Sequence, residues 1–182
     1  MSLIKPLEIT AVVKPKPGET PDFASLIKHI CTLSNVHELS YILHHFIPFT
    51  SLHPMDINIF RVGIKPMWED LANINGAKYI IRLRKECGQR IFEKVLLSFV
   101  NEDFKSLEVN GLVMAMRPKQ YILGIWVRNN PTEEQDKMFC NEISNSIGVN
   151  FDMTIEFKLN DESIKDNSSF RNTSIHKKII HH

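Results

Sequence analysis

Residues that could carry chemistry are few in this 182-residue chain, and most fail on spacing. His37-Glu38-Leu39-Ser40-Tyr41 opens like the H-E-x-x-H zinc signature, but Tyr41 stands where the second histidine must be. His44 and His45 are adjacent and point to different sides of a helix. Cys31, Cys87 and Cys140 are an odd number at wide spacing, which suits neither a disulfide framework nor a zinc knuckle and reads as reduced thiols. Glu133-Glu134 falls in a helix first turn, where the helix dipole accounts for acids. No G-x-x-x-x-G-K-[ST] is present, no G-x-G-x-x-G follows a strand, and no G-x-S-x-G offers a nucleophile. No enzyme, metal site or cofactor is therefore expected. The chain has only two tryptophans, Trp68 and Trp126, and Trp68 is followed directly by an acid, Glu69.

Composition narrows the class. Lys plus Arg is 22 against 21 Asp plus Glu, a formal net charge of +1, so a broadly basic nucleic-acid coat is excluded. Any site for a polyanion must be a local arrangement of a few cations. A hydrophobic share of 43% and a charged share of 24% suit one folded domain spanning 1–182, with 1–7 and 160–175 expected to be flexible. No apolar run reaches the length of about 18 residues that spans a bilayer, and MSLIKPLEIT has no secretory h-region, so no membrane association is expected.

The elements that must position these residues can be read from local signals. Asn35 with Glu38 three residues on forms a capping box that starts a helix through VHELSYILHHF. Ile91, Phe92, Val95, Leu96 and Phe99 make one buried stripe on a helix over about 89–100. Asn130-Pro131-Thr132-Glu133 predicts a third helix, capped at Asn130 and ending near Gly148. LEITAVV reads as an edge strand, and DINIFRV, AKYIIRL, GLVMAMR, QYILGIWV and DMTIEFKL as further strands, rich in Ile, Val, Phe, Tyr and Trp. Pro118-Lys119 joins two of them in a hairpin. A polar, turn-rich stretch from Asn160 to Thr173 reads as a loop before a last strand, IHKKII. The order predicts an α+β fold: a curved, mainly antiparallel sheet of about eight strands, three helices on its convex back and a concave face left for binding.

Gly63-Ile64-Lys65-Pro66-Met67-Trp68-Glu69-Asp70 resembles the G-I-x-P-M-W-E-D signature of the translation initiation factor 4E family of mRNA cap-binding proteins. The likeness extends over about 5–160, through Asn35-Val36-His37-Glu38-Leu39, Asn75-Gly76-Ala77-Lys78-Tyr79, Gly111-Leu112-Val113, Met116-Arg117 and Ile125-Trp126. It implies that Trp68 is one plate of a sandwich for 7-methylguanine, with Phe23 in the place of a family tryptophan as the other. A delocalised cationic ring between aromatic faces is held by their quadrupoles, at about 2 kcal/mol for a desolvated contact. It further implies that Glu69 accepts the N1–H and N2–H of guanine, that Trp126 meets the N7-methyl edge, and that Arg117 and Lys78 hold the triphosphate. Ile122 occupies the place of a second family cation, and Lys119 is the residue that could replace it from the turn.

On the back of the family fold a scaffold protein, or a repressor competing with it, docks through a short helix. Here Pro6, Val36, Ser40, Glu93, Lys94 and Leu97 fall on that surface. Ser40 replaces a tryptophan, and Glu93-Lys94 aligns with a leucine–glutamate pair. The resemblance implies a monomeric factor in translation initiation, in the cytoplasm or also the nucleus, whose partners are capped mRNA and a scaffold or repressor. The alternative is an adaptor or translational repressor on the same fold, with weak cap affinity and a divergent partner surface.

Overall fold

Period-two alternation in the central strands decides what each face of the sheet carries. The computed structural model describes residues 2–13, 22–148 and 153–179, without the side chains of 175–179. Among these residues eight strands form one sheet: β1 (Ser2–Val13), β2 (Ile27–Asn35), β3 (Met55–Arg61), β4 (Ala77–Leu83), β5 (Val109–Met116), β6 (Tyr121–Val127), β7 (Met153–Leu159) and β8 (Ser174–Ile179). Their order is β2-β1-β3-β5-β6-β4-β7-β8, and every neighbouring pair is antiparallel. Among the described residues five α-helices accompany them: α1 (Phe23–Leu26), α2 (Val36–His45), α3 (Lys85–Val100), α4 (Glu133–Ile147) and α5 (Asn160–Asp166).

One face of the sheet packs on the long helices. Ile57 and Ile59 of β3, Tyr79 and Ile81 of β4, Leu112 and Met114 of β5, and Leu123 and Ile125 of β6 share one core with Leu39 of α2, Phe92 and Phe99 of α3, and Phe139 and Ile143 of α4. The residues between them point the other way: Asp56, Asn58 and Phe60, Lys78, Val113 and Ala115, Ile122 and Trp126. Two small apolar clusters lie there, Phe60–Val113–Trp126 and Ile80–Ala115–Ile122. The face without long helices therefore carries the residues expected to bind.

The capping box on α2 is present as expected: Asn35 Oδ1 accepts the Glu38 N–H at 3.0 Å, and Glu38 Oε2 accepts the Asn35 N–H at 3.3 Å. Other boundaries differ. α4 is capped by Thr132, not Asn130, because Thr132 and Gln135 form a reciprocal capping box (3.3 and 3.0 Å) two residues further on. It ends at Gly148 in the left-handed conformation, φ 56°. α3 begins at Lys85 rather than Gln89; its first turn carries no apolar repeat to announce it.

β1 is not an edge strand: it runs from Ser2, and β2, whose apolar alternation is broken by Lys28 and His29, pairs along its free side. The stretch expected as a loop after Asn160 begins with α5, whose first residue is fully buried.

Candidate functional site

The loop after β3 carries the signature residues. Gly63, at φ 87°, turns the chain out of the strand. Asp70 then closes the loop on itself, its Oδ2 accepting the Lys65 N–H at 3.0 Å and its Oδ1 the Ala72 N–H at 2.9 Å. Gly76 ends the loop where a Cβ would stand 2.1 Å from the Val127 carbonyl oxygen, so only glycine lets the chain enter β4 this close to its neighbour.

A cavity of about 410 Å³ opens on the face free of long helices. Phe23, Trp68, Glu69, Trp126 and Arg117, which come from four separate parts of the sequence, all line it. Phe23 is 47% exposed at the start of α1. Trp68 packs partly against the Phe60–Val113–Trp126 cluster, and Glu69 is exposed beside it. Trp126 is 4% exposed and meets Phe60 edge-on, ring centres 5.6 Å apart. It is thus both a packed strand tryptophan and part of the cavity floor.

The cations are arranged differently from expectation. Arg117 is held by Asp56: Nη1 donates to Oδ1, and Nη2 donates to Oδ2 at 3.2 Å. Its guanidinium also lies 5.9 Å from the centre of the Phe170 ring. Lys78 does not line the cavity. It is fully buried, its Nζ donates to Ser163 Oγ at 2.7 Å, and it sits 5.2 Å from the Trp68 ring centre and 5.0 Å from that of Trp126. Burial, with the charge of Lys158 added, pushes the Lys78 ammonium down to about 7. The cause is the alternation of β4 together with α5, which closes over the strand and leaves this side chain no path to water. Lys119 is exposed on the β5–β6 turn and is not among the cavity-lining residues. Ile122, in the place of the second family cation, packs with Ile80, Ala115 and Phe170.

Contributors to the wall that were not anticipated include Asp56, Asn58 and the segment 167–170. The first two had a signal, since polar Asp56 and Asn58 alternate with apolar Ile57 and Ile59 in DINIFRV. The segment 167–170 belongs to a C-terminal loop expected to contribute, through Lys165, Arg171 and Lys177, to contacts with the following nucleotide, and its own place in the wall depends on α5.

The expected partner surface is partly engaged within the chain. Val36 and Leu97 are 41% and 45% exposed, and Ser40 is exposed. Tyr41, one residue on, is exposed and stacks on His45 at 4.0 Å. Glu93 accepts from Gln89 Nε2 at 3.2 Å. Lys94 donates to the Ile147 carbonyl at 2.8 Å, binding α3 to the last turn of α4. Pro6 is exposed, and its carbonyl accepts the Val62 N–H at 3.2 Å.

Comparison with known proteins agrees with the fold and signature. Eukaryotic translation initiation factor 4E-4 of Caenorhabditis elegans is 31% identical over 155 residues, which cover 84% of this chain and 73% of that protein. Eukaryotic translation initiation factor NCBP of Triticum aestivum is 34% identical over 160 residues, 86% of this chain and 69% of that one. In fold, a schistosome eIF4E solved with m7GpppA and 4E-BP matches with a TM-score of 0.82 at 18% identity, over 98% of both chains. The family profile described as eukaryotic initiation factor 4E matches residues 9–175, and with nearly the whole sheet and the aromatic cavity inside that span the chain belongs to the eukaryotic initiation factor 4E family.

Proposed function

We propose that the cavity binds the 7-methylguanosine cap of mRNA, the base lying between Trp68 and Phe23 and its Watson–Crick edge facing Glu69. The observation that carries this reading is that both rings and the acid open on the same cavity. A neutral guanine gains only stacking there; the methylated, cationic ring adds attraction to each aromatic face, about 2 kcal/mol where water is excluded. Methylation also sharpens N1–H as a donor to the Glu69 carboxylate. Adenine offers no such donor pair. The work is binding without bond-making, so the protein is a translation initiation factor rather than an enzyme, acting in the cytoplasm. The relatives' names and the schistosome eIF4E complex with a cap dinucleotide and 4E-BP support the same reading.

The test is quenching of tryptophan fluorescence by 7-methyl-GTP and by GTP. Quenching by the methylated nucleotide at concentrations at least tenfold lower is expected, with Glu69→Gln removing most of it. Equal titration by both nucleotides would refute the reading.

A second reading is favoured by the Arg117–Asp56 pair and by apolar Ile122: an adaptor or translational repressor with weak cap affinity. Lys94, committed to α4, and Ser40 give the back face different chemistry from the resemblance's scaffold site. A pull-down with a scaffold peptide tests the back-face part of this reading, which stoichiometric recovery removes, and titration with 7-methyl-GTP tests the weak cap affinity, which tight binding removes.

A further inference from the structure

Three buried asparagines that the binding reading does not use converge behind the Trp68 loop. Asn73 and Asn160 are fully buried, and Asn110 is 1% exposed. Asn73 spends its side-chain amide on the loop itself. Its Nδ2 donates to the Lys65 carbonyl at 2.8 Å and to the Met67 carbonyl at 2.9 Å, and its Oδ1 accepts from Asn110 Nδ2 at 2.9 Å. Its backbone N–H donates to the Asp70 carbonyl at 2.8 Å. Its backbone carbonyl accepts the Gly76 N–H at 2.8 Å and Asn160 Nδ2 at 2.7 Å. Asn110 Nδ2 also donates to the Ala72 carbonyl at 2.7 Å.

The carbonyl of Met67 belongs to the peptide bond that leads into Trp68, so a donor fixed on that oxygen sets the plane from which the indole and then Glu69 project. Asn160 opens α5, and α5 leads straight into the cavity wall at 167–170. One buried residue therefore touches both walls of the site, one directly and one through Asn160.

We propose that Asn73 is a positioning residue: it holds the Met67–Trp68 peptide in the orientation that ligand binding requires, and through Asn160 it locks that loop to the α5 wall. This rests on the cap-binding reading for its ligand but makes a separate claim about the empty loop. An anchor that lets go loosens both recognition groups together, since Trp68 and Glu69 share one short stretch of backbone. Misplacement by about 1 Å is enough to lose much of a preorganised contact.

The experiment compares Asn73→Asp, Asn160→Asp and a distant core control, Ile143→Val on α4, with the unaltered chain. Asn73→Asp keeps the shape but replaces the donor of two hydrogen bonds with an acceptor facing two carbonyl oxygens. Titration with 7-methyl-GTP is expected to show a loss of about tenfold or more for Asn73→Asp and about threefold for Asn160→Asp. Ile143→Val should lower the melting temperature while holding affinity within about twofold. Asn73→Asp that melts cooperatively and binds within twofold of the unaltered chain overturns the proposal. Should Asn73→Asp not fold, Asn160→Asp decides: unchanged affinity overturns it, and a loss without a lowered melting temperature supports it.

A ligand-free measurement separates this claim from the cap reading. With Trp126→Phe as background, acrylamide quenching reports Trp68 alone. Asn73→Asp, or Asn160→Asp where the former does not fold, is expected to raise the quenching constant about twofold. An unchanged constant overturns the positioning claim whether or not 7-methyl-GTP binds.

Discussion

Replacing Asp56 with asparagine should strengthen the grip on phosphate while leaving the base untouched. Asp56 and Arg117 face each other across β3 and the end of β5, with side chains only 22% and 19% exposed, and the carboxylate takes both terminal nitrogens of the guanidinium. An incoming triphosphate must share that fork and must also lie near a fixed negative charge. For a phosphate resting on Arg117, the carboxylate is about 6 Å away, and at an effective dielectric of about 50 one unit of phosphate charge is repelled by about 1 kcal/mol. Removing that charge is worth about fivefold in affinity. Asparagine retains one acceptor for Arg117, so the side chain keeps its place. The assay is isothermal titration of Asp56→Asn with 7-methyl-GTP and with the nucleoside 7-methylguanosine. A gain of about fivefold for the nucleotide, shrinking at high salt, and none for the nucleoside is expected. Unchanged or weaker nucleotide binding, or an equal gain for both ligands, would refute the idea that Asp56 restrains Arg117.

Phe23→Trp should tighten 7-methyl-GTP binding by about threefold, because a larger quadrupole faces the cationic ring, with little change for GTP; an equal change for both nucleotides contradicts Phe23 as a plate. Lys78→Met should change stability rather than phosphate binding. Burial lowers the folded-state value of Lys78 from 10.5 to about 7. The unfolded chain therefore holds more protons between those limits, and stability should rise with pH across that window, by up to about 1.4 kcal/mol per pH unit. Guanidinium unfolding at pH 7 and pH 9 checks this: the rise should be present in the unaltered chain and largely absent in Lys78→Met. If Lys78→Met instead weakens 7-methyl-GTP more than 7-methylguanosine, Lys78 reaches phosphate after all.

What could be read from sequence was local or carried by a contiguous motif. Asn35 and Glu38 announced α2 because both halves of a capping box lie within one turn. Trp68 and Glu69 stood out through the run from Gly63 to Asp70 that carries the family resemblance, and Phe23, Arg117 and Trp126 only through the places that resemblance assigns them. What escaped depends on pairing across the sheet. Asp56 meets Arg117 only because Asp56 pairs with Ala115, two residues before it. Lys78 was expected at the phosphates by resemblance; its burial follows from α5, which the polar composition of Asn160–Asp166 disguised as a loop. The Asn73–Asn110–Asn160 contacts join residues 37 and 87 positions apart, beyond any local pattern.

A structure of the protein with 7-methyl-GDP bears most directly on the central claim. The expected result is the methylated base stacked between Trp68 and Phe23 at about 3.5 Å from each ring plane, with the Glu69 carboxylate within hydrogen-bond distance of N1 and N2. A base lying outside the Trp68–Phe23 cleft, or inside it with Glu69 turned away, would contradict the account.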